Sequence, residues 1–129
     1  MENGERKTEN GRNILREKSY AFALRIVKLY KFLTEDKKEY ILSKQILRSG
    51  TSIGANIAEA SQGQSKADFV HKLSISLKEA FETQYWLELL RDGEYLEPRL
   101  AESLILDCCE LQKILTASIK TAKKGLDRN

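Results

Sequence analysis

Hydrophobic residues recur along most of the sequence at steps of three and four positions, which is the spacing of an amphipathic α-helix. Short polar stretches interrupt this pattern three times and divide it into four segments. The predicted helices span about 19–34, 39–61, 66–92 and 97–124. Connections of only a few residues favour antiparallel packing of consecutive helices. The sequence therefore predicts an all-α fold, an antiparallel up-down-up-down four-helix bundle.

Start and stop signals support these boundaries. Ser65 and Asp68 form the S-x-x-D pattern of a helix N-terminus before the third helix. Gly93 follows the same helix, and Pro98 stands in the first turn of the fourth, where proline is tolerated. One proline in 129 residues and 32% charged residues are typical of a helical protein rather than of a sheet fold.

The hydrophobic pattern covers residues 19–124 and leaves the two ends without a core face. Residues 1–18 are rich in Glu, Lys, Asn and Arg, so we expect a disordered or frayed polar arm there. Residues 125–129 are expected to fray as a tail. A chain of this length has room for one domain with a core of its own.

No segment approaches the roughly 18 consecutive apolar residues of a membrane-spanning helix. The first dozen residues also lack the apolar centre of a secretory signal. The sequence therefore predicts a cytoplasmic protein without a membrane partner.

Cysteine and histidine usage argues against a metal or redox centre. Cys108 and Cys109 are neighbours on a predicted helix, where their side chains point about 100° apart, so a disulfide between them is unfavourable. His71 is the one histidine, and a zinc site of cysteines and histidines needs more ligands. We predict no metal and no cofactor.

A serine-hydrolase motif is present but lies in the wrong context. Gly50-Thr51-Ser52-Ile53-Gly54 spells G-x-S-x-G, and Asp68 and His71 follow in hydrolase order. A nucleophile elbow needs a strained turn between a strand and a helix. Here the helical periodicity of residues 39–61 continues through the motif, and nothing brings His71 to Ser52. The sequence therefore predicts no catalytic residues and no enzymatic activity.

The second predicted helix has three different faces. Its core stripe consists of Leu42, Ile46, Gly50, Ile53, Ile57 and Ala60. Beside the stripe runs a set of polar residues, here called the polar ladder: Gln45, Arg48, Ser49, Ser52, Asn56 and Glu59. The third face is small and apolar where a surface helix carries charge: Leu47, Thr51, Ala55 and Ala58. A helix without a charged face is usually buried on more than one side.

Two glycines give this helix a further property. Gly50 and Gly54 are one turn apart, a spacing that lets another helix approach closely. The resulting close packing can offset the cost in helix propensity, which is about 1 kcal/mol for each glycine. The approaching helix belongs either to a neighbouring subunit or partner, or to the same bundle packed unusually tightly. Both alternatives remain open on the sequence alone.

The third predicted helix carries a second face beyond its core stripe, with Lys72, Ile75, Glu79, Thr83, Trp86 and Leu90. Aromatic anchors are enriched at interfaces, so Trp86 is expected to be covered. The polar ladder is expected to pair with this face, for instance Arg48 or Lys78 with Glu59 or Glu79. Such pairs fix register more than they add stability.

The net charge of +3 is unevenly distributed. Residues 1–50 carry 12 Lys and Arg against 7 Asp and Glu, residues 51–110 carry 5 against 11, and residues 111–129 carry 5 against 1. The first and last helices of an antiparallel bundle can be neighbours, which favours one positive surface for nucleic acid. The residues predicted for it are Arg25, Lys28, Lys31, Lys113, Lys120, Lys123 and Lys124. Solvated helix faces are the plainer alternative.

Two motifs resemble a known family. RSGTSIGANIAE at 48–59, preceded by Ser43-Lys44-Gln45, and KEAFETQYW at 78–86 are similar to four-helix-bundle proteins encoded in intervening sequences of bacterial large-subunit ribosomal RNA genes. Ala60 departs from the glycine that many relatives carry after the glutamate. The resemblance covers about residues 19–124.

The resemblance implies a ring-like homopentamer with no known catalytic activity. A related group serves as accessory protein of diversity-generating retroelements, which implies RNA or DNA, or a protein partner such as a reverse transcriptase, as binding partners. The family's recurring positions fall on residues that the resemblance marks as an oligomer interface or polar seam. They are Gln45, Arg48, Ser49, Ser52, Asn56, Glu59, Lys78, Glu79, Thr83 and Trp86. The spacing of Gly50 and Gly54 adds these two residues to the predicted interface or seam.

The leading hypothesis is a non-enzymatic homo-oligomer that binds RNA or a nucleoprotein. Five chains of charge +3 sum to +15, which strengthens the attraction of a polyanion. The alternative is a protein-interaction scaffold that binds no nucleic acid, with the uncharged face of the second helix or the Trp86 face as its docking surface.

Overall fold

The computed structural model describes residues 2–62 and 65–127 and contains four helices there. They are α1 (Glu2–Glu35), α2 (Leu42–Ala60), α3 (Lys66–Asp92) and α4 (Pro98–Asp127). Each helix packs against the next in chain order, and α4 closes the arrangement against α1, with the least extensive of the four contacts. The predicted four-helix bundle is confirmed.

Neighbouring helices in the bundle run in opposite directions. Gly50 of α2 lies beside Ile26 of α1, and one turn later Gly54 lies beside Ser19. As residue numbers increase along α2, the residues that they contact on α1 have lower numbers, so the two helices are antiparallel. The same reversal relates α2 to α3, α3 to α4 and α4 to α1.

All four helices contribute to one core. The largest fully buried hydrophobic side chains are Phe22, Ile26, Leu33, Ile46, Ile53, Leu73, Leu87, Leu90, Leu104, Leu111 and Leu115. Each contributes about 1.5–3 kcal/mol of transfer free energy. The predicted stripe of α2 faces this core, although Leu42 at its start is only half-buried.

The first helix begins earlier than the sequence predicts, at Glu2 rather than near Ser19. Leu15 and Ser19 are buried, so residues 14–18 belong to the bundle and are not a disordered arm. The core stripe continues from Phe22 back through Ser19 to Leu15 at helical spacing, and the polar Ser19 conceals it in the sequence. Helix α4 likewise continues to Asp127, while Met1 and residues 128–129 of the expected frayed ends lie outside the described residues.

Side-chain capping sets two of the helix starts. The Glu39 carboxylate accepts backbone N–H bonds from Leu42 at 3.1 Å and Ser43 at 2.7 Å, so α2 begins at Leu42 and not at the predicted residue 39. The Ser65 hydroxyl accepts a bond from the Asp68 N–H at 3.1 Å, which confirms the predicted start of α3.

Candidate interaction surfaces

The polar ladder of α2 is buried at one point, where it meets α3. The hydroxyls of Ser49 and Thr83, both fully buried, lie 2.9 Å apart and share a hydrogen bond. Nearby, the buried Ser76 hydroxyl donates to the Ile53 carbonyl at 2.8 Å. These bonds cross the seam between two helices, so a shift of either helix would leave buried polar groups unpaired. Ser49 and Thr83 therefore fix the register of α2 against α3 within one chain.

An ion-pair network lies at the surface of the same seam. Arg48 pairs with Glu79 at 3.1 Å and with Glu82, and Glu82 accepts a hydrogen bond from the Trp86 indole N–H at 3.0 Å. We call these four residues the Arg48 cluster. The Arg48–Glu79 pair is one of several pairings that the sequence allowed. Glu82 was missed, although its i, i+4 spacing to Trp86 is a recognisable signal.

The Arg48 cluster shifts the acidity of its members. The Trp86 hydrogen bond and then the Arg48 guanidinium lower the pKa of Glu82 below its ordinary value of 4.5. The hydrogen bond to Glu82 in turn raises the pKa of Arg48. Half of the Arg48 side chain is exposed, and exposed ion pairs contribute about 1 kcal/mol or less. The network orients side chains more than it stabilises the fold.

Other members of the ladder bond along α2 or stay at the surface. The Ser52 hydroxyl donates to the Arg48 carbonyl at 2.6 Å, and the Asn56 amide donates to the Ser52 carbonyl at 2.8 Å. Glu59 pairs with Lys72 at 2.9 Å, and not with Arg48 or Lys78 as the sequence predicted. Two further positions from the predicted set, Gln45 and Lys78, are exposed.

The structure also locates the serine-hydrolase motif. Ser52 lies mid-helix, and the Glu59–Lys72 pair shows that the start of α3 packs beside the end of α2. His71, adjacent to Lys72, therefore lies about two helical turns, or about 10 Å along the axis, from the level of Ser52. Nothing in this arrangement brings Ser52, Asp68 and His71 together.

The two cysteines are free thiols. Cys108 is buried and donates to the Ala80 carbonyl at 3.1 Å, and burial raises its pKa to about 12. Cys109 is half-buried beside the Gln84 amide oxygen, which also accepts a bond from Gln112 at 2.8 Å. In the part of the chain that the structure describes, no group of three or more histidine, cysteine, aspartate or glutamate residues is arranged to hold a metal ion.

The glycine pair of α2 faces α1 of the same chain. A Cβ atom on Gly50 would lie 2.8 Å from the Ile26 Cγ1 atom, and one on Gly54 would lie 3.3 Å from the Ser19 hydroxyl oxygen. Their absent side chains therefore allow α1 to approach α2 closely. The close approach predicted from the sequence is present, and at these two positions it occurs inside one bundle.

The remaining small residues of α2 border an open groove. The α1–α2 groove has a volume of about 590 Å³ and is lined by Arg16, Glu17, Ser19, Tyr20, Ala23, Thr51, Gly54, Ala55 and Ala58. Its α2 side carries no charge, and Tyr20 on its α1 side is 68% exposed. In the single chain this apolar surface is uncovered.

A second exposed apolar surface lies on α3. Phe81, Tyr85 and Leu89 follow one another at i, i+4 and i+8, so they share a face of the helix, and all three are exposed. We call them the α3 ridge. Tyr85 also contacts Trp86 edge to face, with ring centroids 5.1 Å apart. Phe81 and Leu89 are interaction candidates that the sequence analysis did not single out, although their helical spacing was visible.

The predicted basic residues divide into two groups. Helices α1 and α4 are neighbours as expected, but Arg25 pairs with Asp107 at 2.6 Å and bonds the Ser103 hydroxyl at 3.1 Å. These contacts place Arg25 beside the first half of α4 along the bundle axis. Lys120, thirteen residues beyond Asp107, lies about 20 Å further along the axis. Near Arg25 on α1 are Lys28 and Lys31, whereas α4 carries Lys113, Lys120, Lys123 and Lys124, all six exposed.

No helix in the described residues is long and apolar enough to cross a membrane. The fold and its surfaces define a class of small four-helix bundles with exposed apolar and basic residues. Within that class, the chain belongs to the family of 23S rRNA-intervening sequence proteins, whose model matches residues 12–117. The resemblance seen in the two sequence motifs is thereby confirmed.

A solved structure shows the same fold at close similarity. It is the crystal structure of a protein of unknown function from the S23 ribosomal protein family of Bacteroides thetaiotaomicron. The two chains are 57% identical, with a TM-score of 0.84, and the match covers 85% of this chain and 98% of the other. No curated protein matches the sequence.

Proposed function

We propose that this protein is a non-enzymatic homo-oligomer of helical bundles that binds RNA or a nucleoprotein partner through its basic surfaces. The observation that supports the proposal most strongly is the position of the basic residues. All seven lie on α1 and α4, which are adjacent, and six of them are exposed. A polyanion approaching this side of the bundle meets cations from two helices.

Oligomerisation is supported by the apolar surfaces. The α1–α2 groove and the α3 ridge leave Tyr20, Phe81 and Tyr85 each more than half exposed. Exposed apolar patches on soluble proteins mark interaction sites. A homopentamer would cover such surfaces and raise the formal charge from +3 to +15. The added charge strengthens nonspecific attraction to phosphate.

Binding to RNA is tested by a gel-shift or fluorescence-anisotropy series with an RNA of arbitrary sequence. We expect a complex at about 50 mM salt that weakens steeply as salt is raised, because lysine–phosphate contacts release counterions. Unrelated RNA sequences should bind with similar affinity. Absence of any complex with RNA or DNA at low salt would remove the proposal. A reverse transcriptase bound to its RNA is a candidate nucleoprotein partner in this proposal, because it presents the same phosphate groups. The proposed location of the protein is the cytoplasm.

A protein-interaction scaffold is the second candidate, and the exposed α3 ridge is the observation that favours it. The two functions are separated by reversing Lys120, Lys123 and Lys124 to glutamate and, in another variant, replacing Tyr85 by alanine. Loss of cellular activity in the lysine variant supports nucleic-acid binding. Retained activity in the lysine variant together with loss in Tyr85→Ala supports the scaffold.

A further inference from the structure

The second half of α4 presents lysines on a stretch that contains no acidic residue between Glu110 and Asp127. Lys113, Lys120 and Lys124 are spaced at i, i+7 and i+11, so they lie along one face of the helix, and all three are exposed. Lys123, also exposed, flanks them. From residue 111 to residue 126 the helix contains no Asp or Glu. We call these four residues the α4 lysine stripe.

Two basic residues of α1, Lys18 and Arg25, lie in a different electrostatic environment. The α1–α4 ion pairs in the described part of the chain use the first half of α4, where Asp107 holds Arg25 and Glu110 holds Lys18. None of the ion pairs found among the described residues involves the α4 lysine stripe. The charges of Lys18 and Arg25 are therefore partly neutralised, whereas those of the α4 lysine stripe are not.

A third helix adds a cation at the same end of the bundle. The Lys66 ammonium of α3 lies 3.2 Å from where a Cβ atom on Gly125 would stand. This places Lys66 beside the last turns of α4, near Lys124. The positive surface at this end is consequently built from two helices whose relative position the bundle core sets.

The stripe can contact phosphates but has no means of reading bases. Residues 111–126 contain no arginine for bidentate contacts to base edges and no aromatic residue on which unpaired bases could stack. Lysine acts on a phosphate as a point charge. From Lys113 to Lys124 the helix rises about 16 Å, which matches about five phosphates of one strand at 3.4 Å each.

We infer that the α4 lysine stripe binds the phosphate backbone of double-stranded nucleic acid without base readout. The inference rests on the proposed function and specifies its ligand. A duplex carries the phosphates of two strands along one axis and so offers the higher charge density to a site that uses charge alone. A single strand offers fewer phosphates and bases that the stripe has no side chains to stack.

Two matched double variants of the full chain test the location. Lys120→Gln with Lys124→Gln removes two charges from the stripe, and Lys28→Gln with Lys31→Gln removes two exposed charges from α1. Anisotropy with a 20-base-pair RNA duplex and a 20-nucleotide single strand is measured from low to physiological salt. In the α4 variant we expect duplex affinity to fall about tenfold or more and the log–log salt slope to shrink by about 1.8 per engaged subunit. The α1 variant removes charge from the other end of the same proposed binding surface, so it should lower duplex affinity less than the α4 variant does, by about threefold.

The outcomes separate this inference from the proposed function. Equal losses in both variants would show that only net charge matters and would overturn the location. Tighter binding of the single strand would overturn the duplex preference, and preferential binding to vesicles of anionic lipid would overturn nucleic acid as the ligand. If the wild type binds neither nucleic acid at low salt, the proposed function fails together with the inference.

Discussion

At the scale of single residues, Gly50 and Gly54 of α2 differ in how well they tolerate an added methyl group. In Gly50→Ala the new Cβ would meet the buried Ile26, a β-branched side chain with little rotamer freedom. The new Cβ would lie 2.8 and 2.9 Å from two Ile26 atoms, so the overpacking cost should reach about 2–3 kcal/mol, above the gain of about 1 kcal/mol in helix propensity. We expect a loss of about 1–2 kcal/mol in unfolding free energy, measured by urea denaturation at a fixed protein concentration.

Gly54→Ala is the matched control because its Cβ contacts with Ser19 are 3.3–3.5 Å. Propensity and slight crowding should nearly cancel there, leaving stability within about 0.5 kcal/mol of the wild type. A Gly50→Ala variant as stable as Gly54→Ala would show that α1 does not pack as closely on α2 as the structure indicates.

The Arg48 cluster should contribute to stability only above acidic pH. The folded-state pKa of Glu82 is lowered, so its contribution is complete above its ordinary value of 4.5 and disappears as pH falls through the folded-state value. We expect Glu82→Gln to cost about 1 kcal/mol or less at pH 7, because the pair is partly exposed. This difference should disappear in acid. Glu88→Gln, elsewhere on α3, is the control, and a pH-independent cost for Glu82→Gln would contradict the cluster.

At the scale of helices, the end of α3 carries a residue in an unfavourable conformation. Glu94 has a φ of 67°, whereas the preceding Gly93 has a φ of −81°. Gly93 is needed instead for space, since a Cβ there would lie 2.9 Å from the Leu89 carbonyl oxygen. Glu94→Gly should therefore raise the unfolding free energy by about 1 kcal/mol, because glycine adopts left-handed φ without strain. Glu97→Gly, also exposed, should not stabilise; an unstabilised Glu94→Gly would contradict the assigned conformation.

Helix number, approximate limits and the core stripe of α2 were all predictable, because hydrophobic spacing carries them. The start of α1 was not, since Ser19 interrupts the stripe in the sequence while remaining buried in the structure. Ser76 and Thr83 were missed as core residues for the same reason: each is polar, and a hydrogen bond made after the helices pack permits its burial.

The interaction surfaces were predictable only in part. The motif residues identified the α2–α3 seam, and the Arg48–Glu79 pair was one of four pairings that the sequence allowed. The partners of Glu59 and Arg25 were not, because ion pairs between helices depend on axial register, which single-helix patterns do not encode. The basic residues were assigned to neighbouring helices correctly, but their separation into two groups follows from that same register.

At the scale of the whole molecule, the α1–α2 groove is the surface proposed for contact between copies. Ala55→Lys places a charge on an exposed lining position of the groove, so it should weaken assembly without unfolding the bundle. Ala117→Lys, at an exposed alanine of α4 outside the groove, should assemble like the wild type. Analytical ultracentrifugation with circular dichroism separates dissociation from unfolding. Equal assembly of both variants would remove the groove from the interface.

Assembly is the property on which the proposed function most depends, because both the summed charge and the covered apolar surfaces require it. Multi-angle light scattering of the purified chain measures this property without knowledge of any ligand. A homopentamer of 14.8 kDa chains predicts a mass of about 74 kDa. A single species of 14.8 kDa across the micromolar concentration range would contradict the proposed oligomer.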